Sequence, residues 1–348
     1  MTAELPPKLA AHPSVRAVLA QRRASPPPVL DAARLRELCL AAGADDVAAV
    51  SLDHPDLAGE REHVLAALPG TRSLVAMAFR MNRDNCRSPA RSVANQEFHQ
   101  TDELANHAAR SITQSLQDAG YRALNPSVGF PQEMDRYPGR IWVVAHKTVA
   151  VAAGLGVMGL HRNVIHPKFG SFVLLATVLV DAEVSEYGQA LDYNPCIDCK
   201  LCVAACPVGA IRKTGEFDAL ACATHNYREF MSGFTDWVQT VADSADAADY
   251  RSRVTDSESA SMWQSLASPP GYKSGYCVAV CPAGEDVLGP YLDDRRTFMD
   301  TVLRPLQDKT ETLYVLPGSP AQDHARRRFP HKPAKEVTGG WQPPPKRS

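Results

Sequence analysis

From Asp31 onward the apolar positions alternate between helical and strand periods. In "DAARLRELCLAAG" Leu35, Leu38, Cys39 and Ala42 share one helical face, and Gly43 supplies a stop. "DDVAAVSL" and "RSLVAMAF" read as strands. A long helix is predicted from Asn95 to Ala119, with Phe98, Ala105, Ala108, Ile112 and Leu116 on one side and Gly120 at its end. "RIWVVAHKTVAVAAG" sets β-branched residues against a helical length, and the stop at Gly154 favours helix. The apolar run from Phe172 to Val180 fits a buried strand, and the polar stretch from Ser232 to Ser268 fits helices of its own. The predicted fold class is α/β in the broad sense (α+β). Its divisions are an extended arm over 1–30, an α/β domain over 31–190, and a cysteine-rich module over 191–290 with a helical insertion near 230–270. A C-terminal extension with a basic tail covers 291–348.

Composition narrows the classes. The chain has 348 residues, is 45% hydrophobic and carries a formal charge of −2, so no global basic field announces a nucleic-acid partner. The pair Arg22–Arg23 is followed by "ASPPPVL" rather than an apolar segment, and the Phe172–Val180 run is too short to span a bilayer. A soluble, cytoplasmic protein without membrane contact is expected. Both proline-rich ends, "ASPPPVL" and "GWQPPPKRS", read as extended arms. Nine cysteines, seven of them between Cys196 and Cys281, suit metal or cluster ligation better than disulfides.

The cysteine spacing is specific. Cys196, Cys199, Cys202 and Cys206, with Pro207 after the last, follow C-x2-C-x2-C-x3-C-P. Each two-residue gap turns the chain enough to aim the next sulfur at one iron–sulfur cluster, and the fourth cysteine of such a run ligates the other cluster of a pair. Zinc sites pair two separate C-x2-C knuckles, which this run is not. Downstream, Cys277 and Cys281–Pro282 repeat the tail of the motif. The crossover pattern therefore assigns Cys281 to cluster one with Cys196, Cys199 and Cys202. Cluster two takes Cys206, Cys277 and Cys222. Ser274 stands where its fourth ligand is expected, and it is either an oxygen ligand or an ordinary loop serine; His225 is another candidate. Cluster two is thus a four-iron cluster with an unusual ligand or a three-iron cluster. Cys39 reads as core packing and Cys86 as a loop thiol.

The order "AGLGVMGLHRN…HPKFGSFVLLATVLVD", then C-x2-C-x2-C-x3-C-P, a lone cysteine and C-x3-C-P resembles the epoxyqueuosine reductases and reductive dehalogenases over roughly residues 30–290. The resemblance implies a nitroreductase-like α/β domain that holds a cobalamin, fed with electrons by a ferredoxin-like two-cluster module. Carried over by position, Gly154, Gly156, Gly159, Asn163, Gly170 and Ser171 would neighbour the corrinoid. The glycine loop taken alone indicates only a close backbone approach, or a tight helix-to-strand connection. The family's proton-donating aspartate is replaced by Arg140, which can stabilise an anion but cannot donate a proton at neutral pH. His146–Lys147 replaces the usual Glu-Arg pair. The helical-repeat region that helps bind tRNA is missing, and the short basic tail "HARRRFPHKPAK" stands in its place, read as a solvated arm.

Three functions compete on this reading. The first is a cobalamin-dependent iron–sulfur reductase acting on a small molecule, with tRNA an unlikely partner. Tyr137 would be its proton donor, and Arg140, His161 and Lys168 its candidate catalytic cations; His166 and Arg162 lie in the same loop. The second is an iron–sulfur electron-transfer protein without corrinoid, and the third a corrinoid-handling reductase. A ferredoxin, flavodoxin or reductase is the expected electron donor. The long segment between Cys222 and Ser274 is expected to be a lid, a pocket wall or a surface insertion.

Overall fold

The computed structural model describes residues 5–20, 26–137 and 139–339. Arg22, Arg23 and the terminal "GWQPPPKRS" lie outside the described residues.

The central element is a four-stranded sheet in the order Asp46–Ser51, Ser73–Arg80, Val173–Val180, Ala123–Leu124, with every neighbouring pair antiparallel. The class is therefore α+β. The strand period of two sends alternate residues to opposite faces, and both faces are covered. On one face Val75, Met77 and Phe79 pack with Leu35 and Cys39 of the Ala32–Ala41 helix and with Ala105, Ala108 and Ile112 of the Arg91–Asp118 helix. On the other, Leu74, Ala76 and Ala78 pack with Val149 and Ala150 of the His146–Ala152 helix. Burial on both faces explains why these strands read as continuous apolar runs rather than as alternating ones.

The predicted helix in "RIWVVAHKTVAVAAG" is only its second half. Ile141–Val144 stays irregular, and the turn ends at Gly154 with φ +82°. The expected N-terminal arm is also corrected. Pro7–Ala10 and Pro13–Ala20 are helices, although neither buries a residue. Cys39 is core, as expected, whereas Cys86 is no loop thiol: it sits in the Arg83–Arg87 helix, buried against Met81, Phe172 and Val278.

The cysteine module packs against the C-terminal segment. Cys202, Cys206 and Ile211 share a core with Leu313, Val315, Ala321, Ala325 and Phe329. "HARRRFPHKPAK" is thus not a solvated arm. Its first residues belong to the Pro320–Arg328 helix and its last to the Ala334–Glu336 strand, which pairs in parallel with Leu313–Val315. The insertion folds as three helices, Ser232–Ala242, Ala247–Arg253 and Asp256–Ala267. A capping box of Thr255 and Glu258 starts the last one, and Glu258 also binds Lys335 and Tyr314, tying the insertion to the C-terminal strands. Among the described residues, no helix is long and apolar enough to cross a membrane.

Candidate functional site

The seven clustered cysteines line two cavities. Cys196, Cys199, Cys202 and Cys281 face an outer cavity of about 350 Å³. Cys206, Cys222 and Cys277 face an inner one of about 360 Å³, with Ser274 on its wall. The division is the crossed one that the spacing suggests. Local structure explains it. The Leu201–Ala205 helix carries Cys202 at its start and ends at Cys206, so consecutive ligands leave opposite ends of one short turn. Lys200 enters that helix in the left-handed region, at φ +54°. Cys222 comes from the Ala219–Asn226 helix, capped by Asp218, and Cys277 from the Tyr276–Ala279 turn.

Among the described residues, no group of three or more His, Cys, Asp or Glu is spaced to hold a single metal ion. A single zinc needs donors about 2.0–2.3 Å from one point. The thiols instead ring volumes that suit a polynuclear cluster. Backbone donors already point at sulfur: Leu160 N–H to Cys196 Sγ at 3.4 Å and Ala210 N–H to Cys206 Sγ at 3.2 Å. Burial pushes the free thiols up, Cys202 and Cys222 to about 12 and Cys281 to about 11. Thiolates therefore form here as metal binds, with release of protons.

His161 lies between the cavities and lines both. Its Nδ1 accepts from Asn163 N–H at 3.2 Å, so the neutral ring carries its proton on Nε2. Burial, reinforced by Lys147, pushes this histidine down to about 4. Nε2 is buried and has no partner within the chain. An orphaned donor facing two thiol-lined volumes is the feature that best fits sulfur-rich clusters, whose sulfurs accept such bonds.

The other predicted residues divide sharply. Ser274 lines the inner cavity, but its Oγ and its N–H both donate to Asn226 Oδ1 at 3.0 Å. His225 lines neither cysteine cavity; its Nδ1 accepts from Tyr314 N–H, and its ring stacks on Tyr314. Lys147 lines the inner cavity and donates to Asn163 Oδ1 at 2.7 Å, and Asn163 Nδ2 in turn lies 3.9 Å from Cys277 Sγ.

Arg140 sits elsewhere. It pairs through both guanidinium nitrogens with buried Glu60, which also accepts from Ala145 N–H at the start of the 146–152 helix. Arg140 lines neither cysteine cavity, and the pair clamps the segment that enters the 146–152 helix. Lys168 also lines neither cysteine cavity. Its carbonyl accepts from Asp286 N–H, and its ammonium lies over the Phe169 ring. His166 bonds Asp46 and stacks on Phe169. His146 bridges Thr177 and the Ser127 carbonyl.

The glycines assigned to a corrinoid do not form a cradle. A Cβ at Gly154 would strike the Gln189 carbonyl, one at Gly156 the Ile165 carbonyl, and one at Gly159 the Ile165 and His161 side chains. Gly170, at φ +66°, meets the Ala283 carbonyl, and the neighbouring Ser171 Oγ donates to Val278 O. The close approach is between the sheet domain and the C-x3-C-P segment, which brings Cys281 home to the outer cavity.

Tyr137 lines a third cavity, about 520 Å³, with Phe130, Phe230 and Phe234. Asp102 and His99 of the long helix enter it, and Ser265, Leu266 and Pro269 of the insertion wall it. Sequence reading missed Asp102; its signal was the i, i+3 spacing of His99 and Asp102 on the polar side of that helix.

A family model described as a 4Fe-4S binding domain matches residues 190–212, which hold Cys196 to Cys206. An epoxyqueuosine reductase from Cellulophaga algicola is 30% identical over 118 residues, covering 30% of this chain and 38% of that protein. One from Synechococcus sp. strain CC9605 is 29% identical over 161 residues, covering 44% of this chain and 45% of that protein. The chain resembles the epoxyqueuosine reductases. Each match spans less than half of its relative. Among solved structures, an epoxyqueuosine reductase with an epoxyqueuosine-modified tRNA stem loop aligns at TM-score 0.43 and 16% identity, covering 85% of this chain and 81% of that one. A catabolic reductive dehalogenase aligns at TM-score 0.47 and 14% identity, covering 78% and 34%. These relatives overturn the expectation of a small-molecule substrate with tRNA as an unlikely partner. Both curated relatives are named epoxyqueuosine reductase, and one solved structure of that name is described with an epoxyqueuosine-modified tRNA stem loop.

Proposed function

We propose that the chain is a two-cluster iron–sulfur reductase of the epoxyqueuosine reductase type, acting on a modified base carried by tRNA. The observation that carries this reading is the partition of seven thiols into two adjoining cavities that share His161. Two clusters store two electrons, the number that reductive opening of an epoxide consumes. The outer cavity lies beside exposed Ile197 and accepts electrons from a ferredoxin, flavodoxin or reductase; the inner cavity passes them on. Cys196, Cys199, Cys202 and Cys281 would hold the outer cluster. Cys206, Cys222 and Cys277 would hold the inner one, with Ser274 at the open corner.

A corrinoid, which the resemblance implies, would supply a cobalt centre of variable oxidation state. The glycines assigned to it do not fit that role, so no step is routed through it. The chain's own residues set the path: His161 donates between the clusters, and Lys147 places positive charge beside the inner one.

The test is anaerobic reconstitution of the full chain, followed by reaction of reduced protein with a stem loop bearing epoxyqueuosine. The expected result is about seven or eight irons per chain and loss of the epoxide oxygen by mass spectrometry. Full iron loading without any reduction of the stem loop would reject the substrate assignment. Cobalt content of protein isolated with cobalamin supplied distinguishes a corrinoid-dependent enzyme from a corrinoid-free one.

A further inference from the structure

A polar cleft of about 850 Å³ has no cysteine on its walls. Three separate parts of the chain build it. The first turn of the Arg91–Asp118 helix contributes Arg91, Ser92 and Asn95. The Asp256–Ala267 helix of the insertion contributes Ser257, Ser261 and Gln264. The C-terminal segment closes it with Thr312, Tyr314 and Lys335.

Six cations and three carboxylates line this cleft. The carboxylates, Glu229, Glu258 and Glu311, are each held by a lysine. Arg251 and Arg253 pair with aspartates of the insertion. Arg91 is the exception. It is 9% exposed and makes no ion pair among the described residues. Its Nη1 donates to the carbonyls of Cys86 and Ser88 at 3.3 and 3.1 Å, while Nε and Nη2 have no partner. A buried cation with unmade donors is unfavourable unless an anion supplies the missing acceptors.

The backbone at the same place asks for the same partner. Arg91 and Ser92 open a helix of 28 residues, and its N-cap, Ala90, offers no side-chain acceptor to the free N–H groups. Such an end carries about half a positive charge and presents donors along the helix axis.

We propose that this cleft binds a phosphate ester, with the phosphate seated between the Arg91 guanidinium and the first turn of the long helix. Three terminal oxygens can accept from the guanidinium and from helix N–H groups together, whereas a bidentate arginine occupies both oxygens of a carboxylate. The rest of the cleft, with Ser257, Gln264 and Thr312, suits the hydroxyls of a sugar. A free nucleotide and an RNA backbone both offer this sugar-phosphate chemistry. The site goes beyond the reductase reading and does not depend on it, because binding is measured without turnover.

The experiment titrates the cluster-loaded full chain by calorimetry at fixed ionic strength with inorganic phosphate, adenosine monophosphate and an unmodified RNA stem loop. Phosphate and the nucleotide should bind, the nucleotide more tightly. Arg91→Gln should weaken both about tenfold. Because a change at buried Arg91 can disturb folding, exposed Ser92 supplies an independent variant. Ser92→Asp places a carboxylate at the first turn, where the phosphate would sit. It should abolish binding of both probes and raise the melting temperature slightly, with cluster EPR signals unchanged. Binding of the stem loop alone, lost in Ser92→Asp, would assign the phosphate to an RNA backbone. Binding of phosphate and nucleotide without the stem loop would assign it to a free ester. If no probe binds the wild-type protein, or if Ser92→Asp binds them all as wild type does, the site is overturned.

Discussion

The outer and inner cysteine cavities have nearly equal volumes and different ligand sets. The outer one has four thiols. The inner one has three, and its fourth corner is a serine whose hydroxyl is already bonded to Asn226. To ligate iron, Ser274 would have to give up that bond and a proton. The outer site is thus complete by composition, whereas the inner one is complete only by rearrangement.

The largest effect should separate the two by iron count. Cys281→Ser should remove the outer cluster, a loss of about four irons, and leave the inner EPR signal in place. Cys277→Ser should do the reverse. Loss of both clusters from either single change would break the comparison, because the cavities would then be one folding unit.

Ser274→Cys tests the asymmetry directly. It should raise the iron content by about one and abolish an oxidised three-iron EPR signal. An unchanged spectrum with a full load of about eight irons in the parent protein would show that a fourth ligand is already in place.

Smaller effects should appear in the potentials. His161→Leu removes a donor shared by both sites and should lower both reduction potentials, by roughly tens of millivolts; His161→Gln should restore part of the shift. Lys147→Met should lower only the inner potential, because Lys147 lines that cavity alone. Redox titration followed by EPR reads each of these.

The smallest effect is a pH profile. Burial, with Glu103 nearby, raises Asp102 from 3.8 to about 6. Folding therefore favours the protonated carboxyl, and this contribution to stability is lost as pH rises from about 4 through about 6. Asp102→Asn should flatten that limb of a melting-temperature profile; an unchanged limb would show that the carboxyl does not titrate late.

Local features were legible in the chain, and long-range pairings were not. The Ala32–Ala41 helix and the strands at 46–51, 73–80 and 173–180 follow from period and stop signals within one segment, and the insertion was legible as helical without the number or bounds of its helices. The pairing of Arg140 with Glu60 was not legible, because Glu60 is 80 residues away and carries no local mark. The basic tail was misread because Ala321, Ala325 and Phe329 are too sparse to announce a core face until the cysteine module supplies the other side. The glycine loop was read as open to a cofactor; in the fold its bare faces meet Gln189 and Ala283.

The sequence alone determined the cluster chemistry, because C-x2-C-x2-C-x3-C-P sets ligand directions over a few bonds, where chain geometry allows few alternatives. Only the tertiary structure decided what surrounds those sulfurs. The orphaned His161 donor between two cavities, the clamp on Arg140 and the acid in an aromatic pocket each depend on residues distant in the chain, and their burial and partners exist only once the sheet, module and insertion pack together.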